Sequence, residues 1–227
     1  FQNTYSMLFD GMDDYVDVGK PIVFDNSTNF SISTWFRTTS TALQGVYKYL
    51  PNPTGAASGW IELSINSTRF SVLLGNGSIS YGITAAGTAL NTWYNVTVVF
   101  DGSGATNSDR LKMYIDGVDT ALTFPLNDIP TSTSNMTTAG PSTFQVGARF
   151  NGADYFDGNI DEPAVFDYSL TQLQVDSIFD NGVQDLNNTV GLTAPVNYWR
   201  MGDGITSFPT IPDVIGTNDG TAYNENE

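Results

Sequence analysis

The sequence predicts an all-β fold, a sandwich or barrel of short antiparallel strands with one short helix. Two patterns predict it: short runs rich in β-branched and aromatic residues alternate between apolar and polar with period two, and clusters of Gly, Asn, Asp and Pro separate the runs. The composition supports one core. A chain of 227 residues, 40% hydrophobic and 13% aromatic, suffices for one well-buried domain and is short for two.

In chain order, the runs that read as strands are residues 6–9, 15–18, 30–37, 45–49, 60–65, 69–74, 78–84, 93–101, 110–115, 143–149 and 160–167. Alternation assigns their faces: Ile32, Thr34 and Phe36 oppose Ser33, Trp35 and Arg37, and Ile61, Leu63 and Ile65 oppose Trp60, Glu62 and Ser64. Asn76-Gly77 and Asp116-Gly117 stand between runs and read as hairpin turns, because positive φ is cheap for these residues. The single helix follows the last run. Ser169 and Gln172 match the S-x-x-Q capping box, Leu170, Leu173 and Ile178 supply an apolar stripe, and Asn181-Gly182 supplies a stop. Residues 125–141, rich in Ser, Thr and Pro without periodicity, read as a long surface loop.

Composition also removes several chemistries. Without Cys there are no disulfides, thiol nucleophiles or thiolate zinc sites, and without His there is no imidazole base or two-histidine metal site. Eight basic residues against 24 acidic ones give a formal charge of −16, which repels phosphate backbones and anionic lipid and attracts divalent cations. Neither nucleic acid nor membrane insertion is expected. No run reaches the roughly 18 apolar residues of a membrane helix, and the start at Phe1 without a basic, then apolar leader reads as a mature product or an excised segment.

Several runs, taken in order, carry a family resemblance: MLFDGMDDYVDVG from residue 7, FSISTWF from 30, WYNVTVVFDG from 93, MYIDG from 113 and FDGNIDE from 156, then the helix at Leu170. Together they resemble the laminin-G-like domains of the concanavalin A-like superfamily over about residues 6–182. The resemblance implies a jelly-roll sandwich of two antiparallel sheets, one concave and one convex. It also fixes the expected domain division, with the sandwich in residues 1–193 and a C-terminal segment in 194–227. In that segment YWRMGDG (198–204), IPD (211–213) and NDGT (218–221) resemble the opening strand and loop that in many such domains precede the Phe-Asp-Gly run. Here they follow it. The segment can pack back as a permuted strand, be the remnant of a second repeat, or complete a neighbouring subunit.

Relatives on this fold include glycosidases, and glycoside hydrolysis needs two carboxyls about 5–9.5 Å apart. The Glu-x-Asp-x-x-Glu run of those relatives is missing, Glu62 and Glu162 stand singly on their strands, and Asp13 and Asp17 lie roughly 13 Å apart along one strand. The chain is therefore read as no enzyme. Calcium is the expected cofactor: Asp154, Asp157, Asn159 and Asp161 crowd one strand, and Asp10, Asp13 and Asp14 crowd another. An EF-hand reading of 157–168 fails, since Glu162 stands where its glycine belongs and Tyr168 where its last glutamate belongs. The resemblance implies instead that Asp161 joins the N-terminal region at Gly11, with Asp10 beside it. For sugar binding, which needs aromatic faces and a few convergent polar groups, the candidates are Trp60, Glu62, Arg149, Asn151 and Tyr155.

The resulting expectation is a non-catalytic, calcium-stabilised lectin-like module, extracellular or on a cell or virion surface, whose partner is a glycan or cell-surface receptor. The alternative is a structural subunit of a virion, fibre or cell-surface assembly, self-associating through the C-terminal segment.

Overall fold

Two antiparallel sheets face each other across one core in the computed structural model, which describes residues 5–20, 22–50, 60–134, 143–149, 154–180, 185–205 and 207–223, without the side chains of residues 22 and 50. The seven-stranded sheet runs β1 (Met7–Asp10), β13 (Asp157–Phe166), β3 (Asn29–Thr38), β8 (Trp93–Asp101), β9 (Leu111–Ile115) and β10 (Val118–Thr120), and β14 (Asn197–Tyr198) also pairs with β13. The nine-stranded sheet runs β11 (Thr123–Leu126), β7 (Ile79–Ile83), β6 (Arg69–Gly75), β5 (Ile61–Asn66), β4 (Gln44–Leu50), β12 (Thr143–Val146), β2 (Tyr15–Asp17), β16 (Gly220–Tyr223) and β15 (Thr210–Ile211). This is the two-sheet sandwich of a concanavalin A-like jelly roll.

The core takes the faces that alternation assigns. Phe30, Ile32 and Phe36 from one sheet meet Ile61, Leu63, Ile65, Phe70 and Phe144 from the other, all at most 2% exposed. Asp116 (φ 51°) and Gly117 (φ 78°) both take the left-handed conformation and join β9 to β10, as the hairpin reading requires.

The helix differs from the sequence reading in its start. It spans Gln172–Asp180 as α2, following the four-residue α1 (Asn107–Arg110). Its capping pair is Thr171 and Gln174: Thr171 N–H donates to Gln174 Oε1 at 2.9 Å, and Gln174 N–H donates to Thr171 Oγ1 at 3.4 Å. Ser169 is unavailable as a cap because its hydroxyl donates to the Phe100 carbonyl at 2.8 Å, and Gln172 donates to the Gly117 carbonyl at 2.8 Å. The buried stripe is Leu170, Val175 and Ile178, while Leu173 is 78% exposed. The expected stop at Asn181-Gly182 lies outside the described residues.

Helix α2 lies on the outer face of the seven-stranded sheet. Val175 and Ile178 pack with Val99, Tyr114, Phe166 and Tyr198, and Trp35 stacks on Phe179 at 5.8 Å and 18°. Trp35, outward by alternation, is therefore covered by the helix. The expected surface loop begins as β11, then anchors inward through Ile129 (0% exposed) and Thr133, whose hydroxyl donates to the Phe24 carbonyl at 2.6 Å.

The C-terminal segment pairs within its own chain. Strand β14 lies against Ala164 and Val165 of β13, and β16 lies against β2. Trp199 enters the main core at 0% exposure and stacks on Phe144 at 6.1 Å. Asp213 holds the turn between them: its carboxylate accepts from the N–H groups of Tyr198 and Gly216 and from the Asn197 amide, at 2.6 to 3.0 Å. The Asp of the Ile-Pro-Asp motif thus organises backbone.

Candidate functional site

With α2 on the seven-stranded sheet, the outer face of the nine-stranded sheet carries the polar groups. Register aligns Leu73, Glu62, Lys48, Gln145, Asp17 and Thr221 in one row across six strands, from β6 to β16. No local sequence signal shows this row, because its members come from hairpins and from strands distant in the chain.

Arg149, three residues beyond β12, organises the middle of the face. Its Nε donates to Glu62 Oε1 and its NH1 to Asp154 Oδ2, both at 2.8 Å. Glu62 is 1% exposed, so the guanidinium supplies the counter-charge that such burial demands. Burial opposes the charge on Arg149, but Glu62 and Asp154 outweigh it and hold its pKa above the ordinary value. Lys48 is buried and donates from Nζ to the Arg149 carbonyl at 2.9 Å. Desolvation lowers its pKa, with Glu62 and Asp17 opposing.

Beside this cluster three tyrosines come together. Tyr15 on β2 pairs with Tyr223 on β16 and stacks on it at 4.9 Å and 11°, and Tyr155 lies 6.5 Å from Tyr15 at 34°. Two residues along β2, Asp17 accepts from the Gln145 side-chain amide at 3.2 Å. Burial raises the Tyr15 pKa, and Tyr223, Asp17 and Tyr155 add to the effect. Tyr15 and Tyr223 were absent from the sequence candidates. They stand 208 positions apart and meet only through the β2–β16 register.

Of the expected sugar-binding residues, the structure brings together Glu62, Arg149 and the Asp154–Tyr155 segment. Trp60, half-buried, precedes β5, three strands from β2 and at the opposite end of the face from Tyr15, so it does not join Tyr155. Asn151 lies outside the described residues. The Glu62–Asp17 spacing lies outside both glycosidase geometries. Glu62 and Asp17 are three strand spacings apart, roughly 14 Å, and the Arg149 guanidinium fills the space between Glu62 and Asp154.

The expected calcium ligands do not converge. Asp10 pairs with Asp157, and Asp161 lies four residues further along β13, roughly 13 Å away, so it cannot share an ion with Asp10 and Gly11. Asp161 sits instead beside Glu162, at a bulge where Glu162 takes φ 53° and pairs with Arg200 at 3.5 Å. Burial, then the Asp161 charge, pushes the Glu162 carboxyl up to about 8 despite Arg200. Gly11 faces Asp157, whose Cβ leaves no room for a side chain there.

A different oxygen cluster does assemble. Asp10, Asp13 and Asp14 each place a carboxylate oxygen within 4.8 Å of the others. Asp14 is 4% exposed; its Oδ2 accepts from the Asp10 N–H at 2.9 Å, and its Oδ1 is buried without a hydrogen-bond partner among the described residues. Burial raises the Asp14 pKa, the Asp10 N–H opposes this, and the Asp10 and Asp13 charges add to the rise. All-oxygen donors with excess negative charge fit a hard cation such as calcium.

Comparison with known proteins places this geometry. No curated protein matches the sequence significantly. Among solved structures, a Bacteroides ovatus protein proposed to bind carbohydrate superposes with a TM-score of 0.68 at 17% identity, over 96% of this chain and 57% of its own, so the chain spans little more than half of that protein. The CBM40 of the Ruminococcus gnavus IT-sialidase, bound to α2,3 sialyllactose, gives 0.61 at 16% identity over 76% of this chain and 94% of its own. Domain 4 of the Geobacillus stearothermophilus GH43 extracellular arabinanase AbnA, in complex with arabinotriose, gives 0.53 at 19% identity over 77% and 75%. These likenesses are of fold. Residues 10–176 match the laminin-G model of the concanavalin A-like lectin/glucanases superfamily, and the chain belongs to that family.

Proposed function

We propose that this chain is a non-catalytic, lectin-like module that binds glycans on the outer face of its nine-stranded sheet, with calcium bracing the Asp10–Asp14 loop. The observation that carries the reading is the Arg149–Glu62–Asp154 cluster beside Tyr15, Tyr155 and Tyr223, which joins fixed polar groups to partly exposed aromatic surface on one face of the sheet. It is supported by the carbohydrate-binding modules among the structural neighbours. Such a module acts outside the cell, on a cell surface or on a virion surface, where glycans and glycosylated receptors are its partners.

Asp10, Asp13 and Asp14 would hold the ion, which would neutralise their mutual repulsion and fix the turn between β1 and β2. A glycan array tests the binding: the purified chain should retain at least one glycan, the Tyr155→Ala variant should retain less, and no reducing ends should be released. Retention of nothing, or hydrolysis of the bound glycan, would overturn the reading. The rival role, assembly through residues 194–227, would use a segment whose strands pair within the chain, and finding a monomer in solution would argue against it.

A further inference from the structure

The cations near the binding face are few enough to follow one by one. Lys20 pairs with Asp25 at 3.2 Å, Lys48 is buried on the Arg149 carbonyl, and Arg149 is held between two carboxylates. Arg69, exposed on β6, stands four strand spacings from β2, roughly 19 Å. The other basic residues of the chain, Arg37, Arg110, Lys112 and Arg200, lie on the seven-stranded sheet or its margin. The cations nearest the tyrosines are thus already engaged, Lys20 by Asp25 and Arg149 by Glu62 and Asp154. Two carboxylates stand there, Asp17 on the adjoining row and Asp154 next to Tyr155 in sequence.

We propose that Tyr15, Tyr155 and Tyr223 form a subsite for an uncharged glycan, with Asp17, Gln145 and Asp154 receiving or donating hydrogen bonds to its hydroxyls. The inference rests on the glycan-binding reading and adds a ligand class to it: sugars without carboxylate or sulfate. Tyr15 and Tyr223 stack on each other, so the free face of Tyr223, 43% exposed, is open to the C–H face of a pyranose or furanose. None of the three phenol hydroxyls has a protein hydrogen-bond partner among the described residues. Sugar hydroxyls can donate to Asp17 and Asp154, whereas a sugar carboxylate would face like charge at Asp17 and would have to compete with Glu62 and Asp154 for Arg149. Tyr223 comes from β16, beyond the residues 10–176 that match the family, so the subsite includes a part particular to this chain's C-terminal segment.

Calorimetric titration of the full chain tests this, with arabinotriose, laminaritetraose, cellotetraose and mannotetraose as neutral probes and 3′-sialyllactose as the acidic probe, each with and without calcium. At least one neutral probe should bind, with an affinity unchanged between about 0.05 and 0.5 M NaCl because no ion pair forms. Tyr223→Ala should weaken it about tenfold, the size of one aromatic contact, and Tyr223→Phe should keep most of the affinity. Circular dichroism should show both variants folded. Binding of sialyllactose in preference to every neutral probe would overturn this inference while leaving the glycan-binding reading intact. Binding of a neutral probe that is unaffected by Tyr223→Ala and Tyr15→Ala but lost in Trp60→Ala would overturn the subsite alone. Binding of no probe would overturn the subsite, and a blank glycan array beside it would overturn the wider reading.

Discussion

Replacing Arg149 with Met separates the two ion pairs of the binding face by their burial. The Glu62 side chain is 2% exposed and the Asp154 side chain 40%, with Arg149 itself at 24%. Removing one partner of a buried pair costs about 3–5 kcal/mol, because the remaining charge stays desolvated, whereas an exposed pair contributes about 0–1 kcal/mol. Partial exposure of Arg149 admits water to the site, so the lower figure applies and Arg149→Met should cost about 3 kcal/mol. In a domain of this size that lowers Tm by roughly 6–12 °C. Asp154→Asn should cost under about 1 kcal/mol. Urea unfolding at neutral pH, followed by tryptophan fluorescence, reads both as midpoint shifts at unchanged slope. The Glu62→Gln, Arg149→Met double mutant should be less destabilised than the sum of its single changes. Equal costs for Arg149→Met and Asp154→Asn, or strict additivity in the cycle, would refute the assignment of Glu62 as a buried carboxylate held by Arg149.

Further outcomes follow from the same structure. Glu162 has a folded-state pKa of about 8 against an ordinary 4.5, so its contribution to stability is fully present below about pH 4.5 and is lost as pH rises through 8. Glu162→Gln should therefore gain on the wild type between pH 4.5 and 8, by at most roughly 5 kcal/mol at 1.36 kcal/mol per pH unit; parallel stability curves over that range would contradict it. Trp199→Ala should cost about 3–5 kcal/mol, since a wholly buried indole leaves a cavity beside Phe144; a cost near zero in urea unfolding would mean that the C-terminal segment is not part of the core. Calcium should raise the thermal midpoint of the wild type and not that of Asp13→Asn, Asp14→Asn, whereas an equal response of both to a chelator would remove the ion from the Asp10–Asp14 loop.

The strands were legible because one local rule, alternation, decides them: Ile61, Leu63 and Ile65 are inward and Glu62 and Ser64 outward on pattern alone. Strands β14 and β15 have two residues each, too few for any period to show. The helix start was misplaced because Ser169-x-x-Gln172 and Thr171-x-x-Gln174 satisfy the same template. The choice between them lies in a tertiary bond, Ser169 to the Phe100 carbonyl. Site residues were harder still. Arg149 and Glu62 were named separately, and their pairing depends on the order β5-β4-β12, which no local sequence pattern states. Asp161 and Gly11 were joined by family likeness, yet the β1–β13 register sets Asp157 opposite Asp10 and carries Asp161 along the strand to Glu162.

The central claim is that the outer face of the nine-stranded sheet is where a glycan is held. Two-dimensional amide NMR of the labelled chain, titrated with a glycan retained on the array, tests it most directly. Shifts should concentrate at residues 15–17, 145–149, 154–155 and 221–223, with α2 and the seven-stranded sheet unmoved. Shifts centred on α2 or on the β8–β10 hairpins would contradict the claim.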